Sequence, residues 1–116
     1  MQLRCLIVDD NQPFLDAARL LLEREQVAVV GVATTSSEAL RLEEELRPDV
    51  VLVDIRLGHE SGFDLARRLS GAVILISTHA QSEYAEEIAS SPAAGFVPKA
   101  QLSASAVMRL AGAPSE

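Results

Sequence analysis

Short runs of branched aliphatic residues recur along this chain, and two of them lead directly into carboxylates. Leu6-Ile7-Val8 is followed by Asp9 and Asp10, and Val50-Val51-Leu52-Val53 is followed by Asp54. Continuous apolar runs of this length are typical of strands buried on both faces, as in parallel sheets. Parallel strands need long crossovers, usually helices, so these runs restrict the chain to an α/β arrangement. They also predict acidic groups at the carboxyl edge of the sheet, where open α/β folds hold their sites.

Helical patterns separate the apolar runs along the whole chain. Five strands are predicted, at residues 4–8, 27–34, 50–53, 73–76 and 95–97. Five helices are predicted to alternate with them, two long ones that begin near Gln12 and Thr35 and shorter ones at 64–69, 82–89 and 103–110. Strict alternation of this kind predicts a parallel sheet with helices on both faces.

The spacing of residues in the two long helices predicts how they begin and which side they bury. The segment Thr35-Ser36-Ser37-Glu38 fits a capping box at the start of the second helix. In the first helix, small and apolar side chains recur at helical spacing. Its predicted buried face consists of Phe14, Ala17, Ala18 and Leu21.

Composition limits the classes of function. The chain has 116 residues, 48% of them hydrophobic, and we expect one domain over residues 1–116, with a short tail at 113–116 and no output domain in this chain. The net charge of −7 argues against direct binding of nucleic acid. No apolar stretch approaches the length of a membrane span. The single cysteine, Cys5, is expected to be a small buried hydrophobe and fits a reducing, cytoplasmic location.

Polar and charged residues follow several of the predicted strands. Because these positions share one edge of a parallel sheet, we expect a convergent set made of Asp9, Asp10, Asp54, Ser77, Thr78 and Lys99. Carboxylate oxygens suit Mg²⁺, and a lysine and a hydroxyl can neutralise and orient a transferring phosphoryl group. A carboxylate can itself act as the nucleophile. The set therefore predicts phosphoryl-transfer chemistry.

Four motifs stand at strand ends in a fixed order, at residues 6–11, 49–57, 74–78 and 95–99. Together they make the chain resemble the receiver domain of two-component response regulators, over essentially all of its length. The resemblance implies a flavodoxin-like doubly wound fold, with five parallel strands in the order 2-1-3-4-5 and helices on both faces. It also implies a signalling protein that accepts a phosphoryl group from a sensor histidine kinase and changes conformation. Such a protein catalyses only its own phosphorylation and slow dephosphorylation, so we do not expect an enzyme in the usual sense.

The resemblance gives the central role to Asp54, which corresponds to the phosphoacceptor that attacks a phosphohistidine. Asp9 and Asp10 correspond to the acidic pair that holds Mg²⁺ or Mn²⁺. The Asp54 carboxylate and the backbone carbonyl of Arg56 are implied as further ligands. Lys99 corresponds to the lysine that pairs with a phosphoryl oxygen.

Other positions correspond to residues that report or tune phosphorylation in the family. Ser77 matches the switch hydroxyl that moves toward the phosphate, and the backbone N–H of Thr78 is expected to contact the phosphoryl group. Phe96 matches the aromatic residue whose rotamer follows that movement, although an ordinary core role is equally open. Arg56 and His79 match positions that flank the acyl phosphate, and we expect them to set its lifetime.

A second apolar stripe on the first helix, formed by Leu15, Ala18 and Leu22, has two interpretations. It either widens the core-facing side of the helix or, through Leu15, contributes to a docking patch for the kinase. A second copy of the chain or a downstream output protein is a further partner that the resemblance implies.

The sequence departs from the family pattern at two positions. Gly58 replaces the usual proline, which predicts a more flexible loop. Ala100 replaces the proline that usually follows the lysine, so the geometry of that turn is open. Two other functions stay open, an interaction module that works without phosphorylation and an aspartate-nucleophile phosphatase. The phosphatase needs a second aspartate where this chain has Arg56, which argues against it.

Overall fold

The computed structural model describes residues 2–79 and 81–112 and contains seven strands and five helices within them. The strands are β1 (Arg4–Val8), β2 (Ala28–Ala33), β3 (Val50–Asp54), β4 (Arg56–Leu57), β5 (Glu60–Ser61), β6 (Ala72–Ser77) and β7 (Gly95–Pro98). The helices are α1 (Gln12–Arg24), α2 (Ser36–Leu46), α3 (Gly62–Arg68), α4 (Ala85–Ser90) and α5 (Ala104–Leu110). The predicted tail at 113–116 lies outside the described residues. None of the described helices has the length and apolar character needed to cross a membrane.

Five of the strands form one parallel sheet in the order β2-β1-β3-β6-β7. Without the small β4–β5 hairpin, this is the predicted order 2-1-3-4-5, so the flavodoxin-like doubly wound fold is confirmed. The predicted fourth helix is the element that differs most, because a 3-10 turn at Gln81–Tyr84 comes before a six-residue α4.

Two hydrophobic cores cover the two faces of the sheet, because neighbouring strand residues point in opposite directions. Ile7 and Leu52 pack on the side of α1 and α5, whereas Leu6 and Val51 pack on the side of α2 and α3. Cys5 belongs to the first core, and burial raises the pKa of its thiol to about 12. This supports its interpretation as a small hydrophobe, because the reactive thiolate is strongly disfavoured.

The buried face of α1 differs from the predicted one. Leu15, Ala18 and Leu22 are at most 2% exposed, while Ala17 is exposed. Phe14 and Leu21 are only partly buried at the border of the core. The interpretation that the second stripe widens the core-facing side of α1 is confirmed, and of the first stripe only Ala17 lies away from the core. The docking interpretation of Leu15 does not fit, because a side chain that is 1% exposed offers no surface to a partner.

The predicted cap of α2 is present in a slightly different form. Thr35 is the N-cap, and its hydroxyl oxygen accepts the N–H of Glu38 at 3.2 Å. The Glu38 carboxylate accepts the N–H of Thr34 at 3.0 Å, one residue before the position that a standard capping box uses. The two bonds still satisfy backbone donors at the start of the helix.

Candidate acidic site at the carboxyl edge of the sheet

Three carboxylates converge where β1 and β3 end. Asp9 directly follows β1 and is fully buried, Asp54 is the last residue of β3, and Asp10 is exposed beside them. One carboxylate oxygen from each lies within 4.8 Å of the others. The predicted convergence of these residues is confirmed, and the cluster could hold a metal ion.

The two oxygens of Asp9 have different surroundings. Oδ1 accepts the backbone N–H of Asn11 at 2.9 Å. Oδ2 is buried, and Lys99 Nζ forms an ion pair with it at 2.6 Å. The same ammonium is shared with Asp54, so the clustered carboxylates outnumber the cation that pairs with them. Oxygen donors of this kind are the ligands that Mg²⁺ prefers, so the residues fit a hard divalent cation.

Lys99 reaches the cluster from the segment after β7. A 3-10 turn, Lys99–Gln101, begins directly after Pro98, and the Lys99–Ala100 peptide bond is trans, like every other bond that the structure describes. Nζ lies 3.2 Å from Asp54 Oδ2, and the lysine side chain is only 11% exposed. Burial alone would lower the pKa of Lys99, but the two carboxylates outweigh burial and raise it. The lysine therefore remains charged.

Asp54 is placed in an environment that opposes its own ionisation. Burial raises the pKa of its carboxyl most strongly, and the charge of Asp9 raises it further. The backbone N–H of Arg56, 3.2 Å from Oδ1, and the ammonium of Lys99 offset only part of this effect. Three carboxylates against one ammonium leave an excess of two negative charges when all are ionised. A divalent cation would neutralise this excess.

Ser77, Thr78 and His79 lie at the same edge, at the end of β6. Asp54 pairs in register with Ile76, so Ser77 stands one residue further along the neighbouring strand. Ser77 is buried, and its Oγ accepts the N–H of His79 at 3.0 Å. Thr78 and His79 are exposed. These positions agree with the predicted roles but do not test them.

Phe96 is half-buried on the α2 and α3 side of the sheet. It packs against that core together with Tyr84 and Ile88. Tyr84 also contacts the ring of His79, with 6.1 Å between ring centroids. The switch role of Phe96 stays a prediction, because a residue of the ordinary core would pack in the same way.

The loop beside Asp54 contains a small hairpin that sequence reasoning missed. β4 and β5 pair antiparallel through Arg56 with Ser61 and Leu57 with Glu60. Gly58 begins the two-residue turn with a φ of +60°. A glycine at the first turn position is the usual signal for this kind of hairpin, but the flanking strands have only two residues each. The glycine that replaces proline therefore has a definite conformational role here.

Gly62 is a second feature that sequence reasoning did not single out as part of the site. It begins α3 and donates its N–H to the carbonyl of Ile55 at 2.8 Å. A Cβ at this position would lie 2.0 Å from the carbonyl oxygen of Asp54. Only a glycine allows the start of α3 to approach the Asp54 backbone so closely.

Comparison with known proteins agrees with this geometry. Residues 5–110 match the response regulator receiver domain family. The DNA-binding transcriptional activator EvgA of Escherichia coli is 28% identical over 84% of this chain and 50% of its own length. The signal receiver domain of a response regulator named NarL from Mycobacterium tuberculosis superposes with a TM-score of 0.84 and 28% identity, over 97% of this chain and 98% of that one. A Burkholderia pseudomallei response regulator, with a phosphorylated aspartic acid, a calcium ion and citrate, has a TM-score of 0.80 and 25% identity, over 94% of this chain and 66% of that one.

This chain belongs to the response regulator receiver domain family of two-component systems. The match covers all the strands of the main sheet except the first residue of β1, and all five helices. The chain spans about half the length of the curated relatives such as EvgA.

Proposed function

We propose that Asp54 accepts a phosphoryl group from the phosphohistidine of a sensor histidine kinase. The observation that carries this proposal is the cluster of three carboxylates, Asp9, Asp10 and Asp54, whose oxygens lie within 4.8 Å of one another beside a single ammonium. A structural ion pair needs one carboxylate for one ammonium, and further carboxylates beside it cost stability. The excess of carboxylates therefore favours a site that binds a cation and, through Asp54, a phosphoryl group.

The proposed metal ligands are Asp9, Asp10, Asp54 and the backbone carbonyl of Arg56. The ion would be Mg²⁺, or Mn²⁺ in its place, and it would supply positive charge for the developing negative charge on the phosphoryl oxygens. The excess of two negative charges in the cluster supports a divalent ion over a monovalent one.

In the proposed reaction, a carboxylate oxygen of Asp54 forms a bond to phosphorus while the phosphorus–nitrogen bond to histidine breaks. The imidazole leaves with the bonding electrons and takes up a proton. Lys99, already 3.2 Å from Asp54 Oδ2, would neutralise one phosphoryl oxygen. The Ser77 hydroxyl and the Thr78 N–H would donate to others, and Ser77 would have to give up its bond from His79 to turn inward.

Movement of Ser77 would open a space for Phe96, which is the proposed conformational switch. Arg56 and His79 are exposed at the rim of the site and are the proposed determinants of acyl phosphate lifetime.

The chain would act only on its own aspartate and not on separate substrates. We also propose a cytoplasmic location, because the lone buried cysteine fits a reducing compartment.

The Burkholderia pseudomallei relative holds a phosphorylated aspartic acid and a calcium ion, which supports phosphorylation of an aspartate in this chain. Binding without phosphorylation is less favoured, because it would not require three clustered carboxylates with a buried lysine. The downstream partner would be a second copy of the chain or an output protein.

Incubation with Mg²⁺ and a small phosphodonor such as acetyl phosphate, followed by intact-mass measurement, tests the proposal. We expect one stable phosphate per chain in the native protein and none in Asp54→Asn. Asp64→Asn is the matched control, because Asp64 is an exposed residue of α3 that pairs with Arg67. It should be labelled at the native rate.

Removal of Mg²⁺ with a chelator should prevent labelling. Labelling that persists in Asp54→Asn, or native protein that gains no phosphate with Mg²⁺ present, would refute the proposal. The second result would favour the phosphorylation-independent module. Rapid release of inorganic phosphate without a stable adduct would instead favour a phosphatase.

A further inference from the structure

The ammonium of Lys99 has a third neighbour besides the two carboxylates. The ring of Phe14, near the start of α1, lies with its centroid 4.4 Å from Lys99 Nζ. An ammonium within about 6 Å of an aromatic centroid is attracted to the negative face of the ring. The lysine side chain is only 11% exposed, so little water competes with this contact.

The position of the ring is tied to that of the acidic pair. Asn11 donates its backbone N–H to Asp9 Oδ1, and its side chain caps α1 by accepting the N–H of Phe14 at 3.1 Å. One short turn therefore orients the Asp9 carboxylate and the Phe14 ring together. Phe14 is also only partly buried at the border of the core, so packing alone does not require an aromatic ring here.

The three neighbours of Lys99 would respond differently to the proposed reaction. Asp9 holds the ammonium most closely, at 2.6 Å, yet the same oxygen is a proposed metal ligand. A carboxylate shared with a divalent cation attracts an ammonium less strongly. The Phe14 ring is neutral and is no ligand for a hard cation, so its attraction for the ammonium persists.

We propose that Phe14 is a positioning residue for phosphoryl transfer, whose ring holds the Lys99 ammonium beside Asp54 Oδ2 when Asp9 is engaged elsewhere. This inference rests on the proposed function of Asp54. Without the ring, the ammonium can rotate toward water, and fewer molecules have the lysine in place when the phosphoryl group arrives. Loss of the ring should lower the rate of phosphoryl transfer at saturating donor concentration and should leave the binding of the donor unchanged.

The test compares Phe14→Leu, which keeps an apolar side chain, with Phe14→Tyr, which keeps the ring. With Mg²⁺ and acetyl phosphate, Phe14→Leu should lower the maximal labelling rate about three- to tenfold, the size expected for a partly desolvated cation–π contact. The donor concentration at half-maximal rate should not change. Phe14→Tyr should stay close to the native rate. Leu21→Ala, also on α1 at the border of the same core, controls for general loosening of the helix and should label at the native rate.

A spectroscopic measurement without Mg²⁺ or donor tests the contact itself. The ε-methylene proton resonances of Lys99 should be shifted upfield by the ring in the native protein, Phe14→Tyr and Leu21→Ala, and should return to ordinary lysine positions in Phe14→Leu. A native labelling rate in Phe14→Leu, an equal loss in Leu21→Ala, or unshifted native resonances would overturn the inference. Failure of the native protein to label at all would instead refute the proposed function, and the transfer role of Phe14 with it.

Discussion

Among the described residues, carboxylates lie at both edges of the sheet, and three of them cluster at the carboxyl edge. At the amino edge, where the strands begin, Asp49 accepts the backbone N–H of Arg4 at 2.8 Å. Glu43, on α2, accepts the N–H groups of Ser70 and Gly71 at 2.8 to 3.0 Å. At the carboxyl edge, Asp9 and Asp54 share a single lysine.

The same chemical group therefore has opposite consequences at the two edges. A carboxylate that accepts backbone N–H groups gains charge-assisted hydrogen bonds that stabilise the fold. A carboxylate that is buried beside another one loses solvation and is repelled, which costs stability unless a cation compensates. The amino edge contributes to folding, whereas the carboxyl edge is less stable and holds the proposed phosphoacceptor.

The largest expected contrast between the two edges comes from adding one methyl group to a glycine. In Gly62→Ala the new Cβ meets the carbonyl oxygen, carbonyl carbon and Cα of the Asp54–Ile55 backbone at 2.0 to 2.9 Å. Backbone atoms cannot move aside cheaply, so we expect a loss of about 3 kcal/mol in the free energy of unfolding. Urea denaturation measures this value.

Gly71→Ala is the control at the amino edge, where the nearest atom is the Glu43 carboxylate oxygen at 3.4 Å. We expect a change within about 0.5 kcal/mol there, as for ordinary surface substitutions. Equal effects of the two substitutions would mean that α3 does not depend on close contact with the Asp54 backbone.

Gly62 also illustrates what the sequence could and could not predict. The apolar runs predicted all five main strands, because burial on both faces leaves a pattern in the residues themselves, and the resemblance to receiver domains implied their order. They also predicted the convergence of Asp9, Asp10, Asp54 and Lys99, since parallel strands end at one edge.

The features that sequence reasoning missed depend on the approach of segments distant along the chain. The close contact of Gly62 with Asp54 is of this kind, and so is the ring of Phe14 over Lys99, 85 positions later in the chain. The burial of Ala17 on α1 was predicted wrongly, because alanine spacing fits two neighbouring stripes equally well. Rotation of a helix is decided by the partner it packs against, which a single helix pattern does not specify.

A smaller difference in stability between the two edges should appear when one carboxylate at each edge is replaced by a neutral amide in metal-free protein. Because the pKa of Asp54 is raised above its ordinary value of 3.8, the folded state binds this proton more tightly than the unfolded chain does. Stability is therefore lost as the pH rises from 3.8 through the raised pKa, and the full penalty applies above it. Asp54→Asn removes the penalty, so at pH 7 it should raise the melting temperature by several degrees, roughly 4 °C per kcal/mol.

The advantage of Asp54→Asn should shrink as the pH falls toward 3.8 and below, where the native carboxyl is also neutral. Asp49→Asn is the counterpart at the amino edge and should give no gain at pH 7, because it weakens the bond from the Arg4 N–H. Thermal unfolding of both variants from roughly pH 3, where ordinary carboxyl groups are mostly neutral, to roughly pH 8, where they are fully ionised, measures the contrast. An Asp54→Asn variant that is less stable than native at pH 7 would contradict the electrostatic account of the carboxyl edge.

The smallest expected effect concerns Glu43, whose carboxylate joins α2 to the turn between α3 and β6. Glu43→Ala removes the acceptor of two backbone N–H groups, and water can replace it in part because the turn is exposed. We expect a loss of about 1 kcal/mol, below the range for buried charged hydrogen bonds. Glu44→Ala, at the exposed neighbouring position on α2, is the matched control and should change stability less.

Labelling of Asp54 by acetyl phosphate should proceed at the native rate in both variants, because the amino edge lies at the opposite end of the strands. A slower rate in Glu43→Ala alone would show that the two edges are energetically coupled, so the separation between a stabilising edge and a reactive edge would no longer hold.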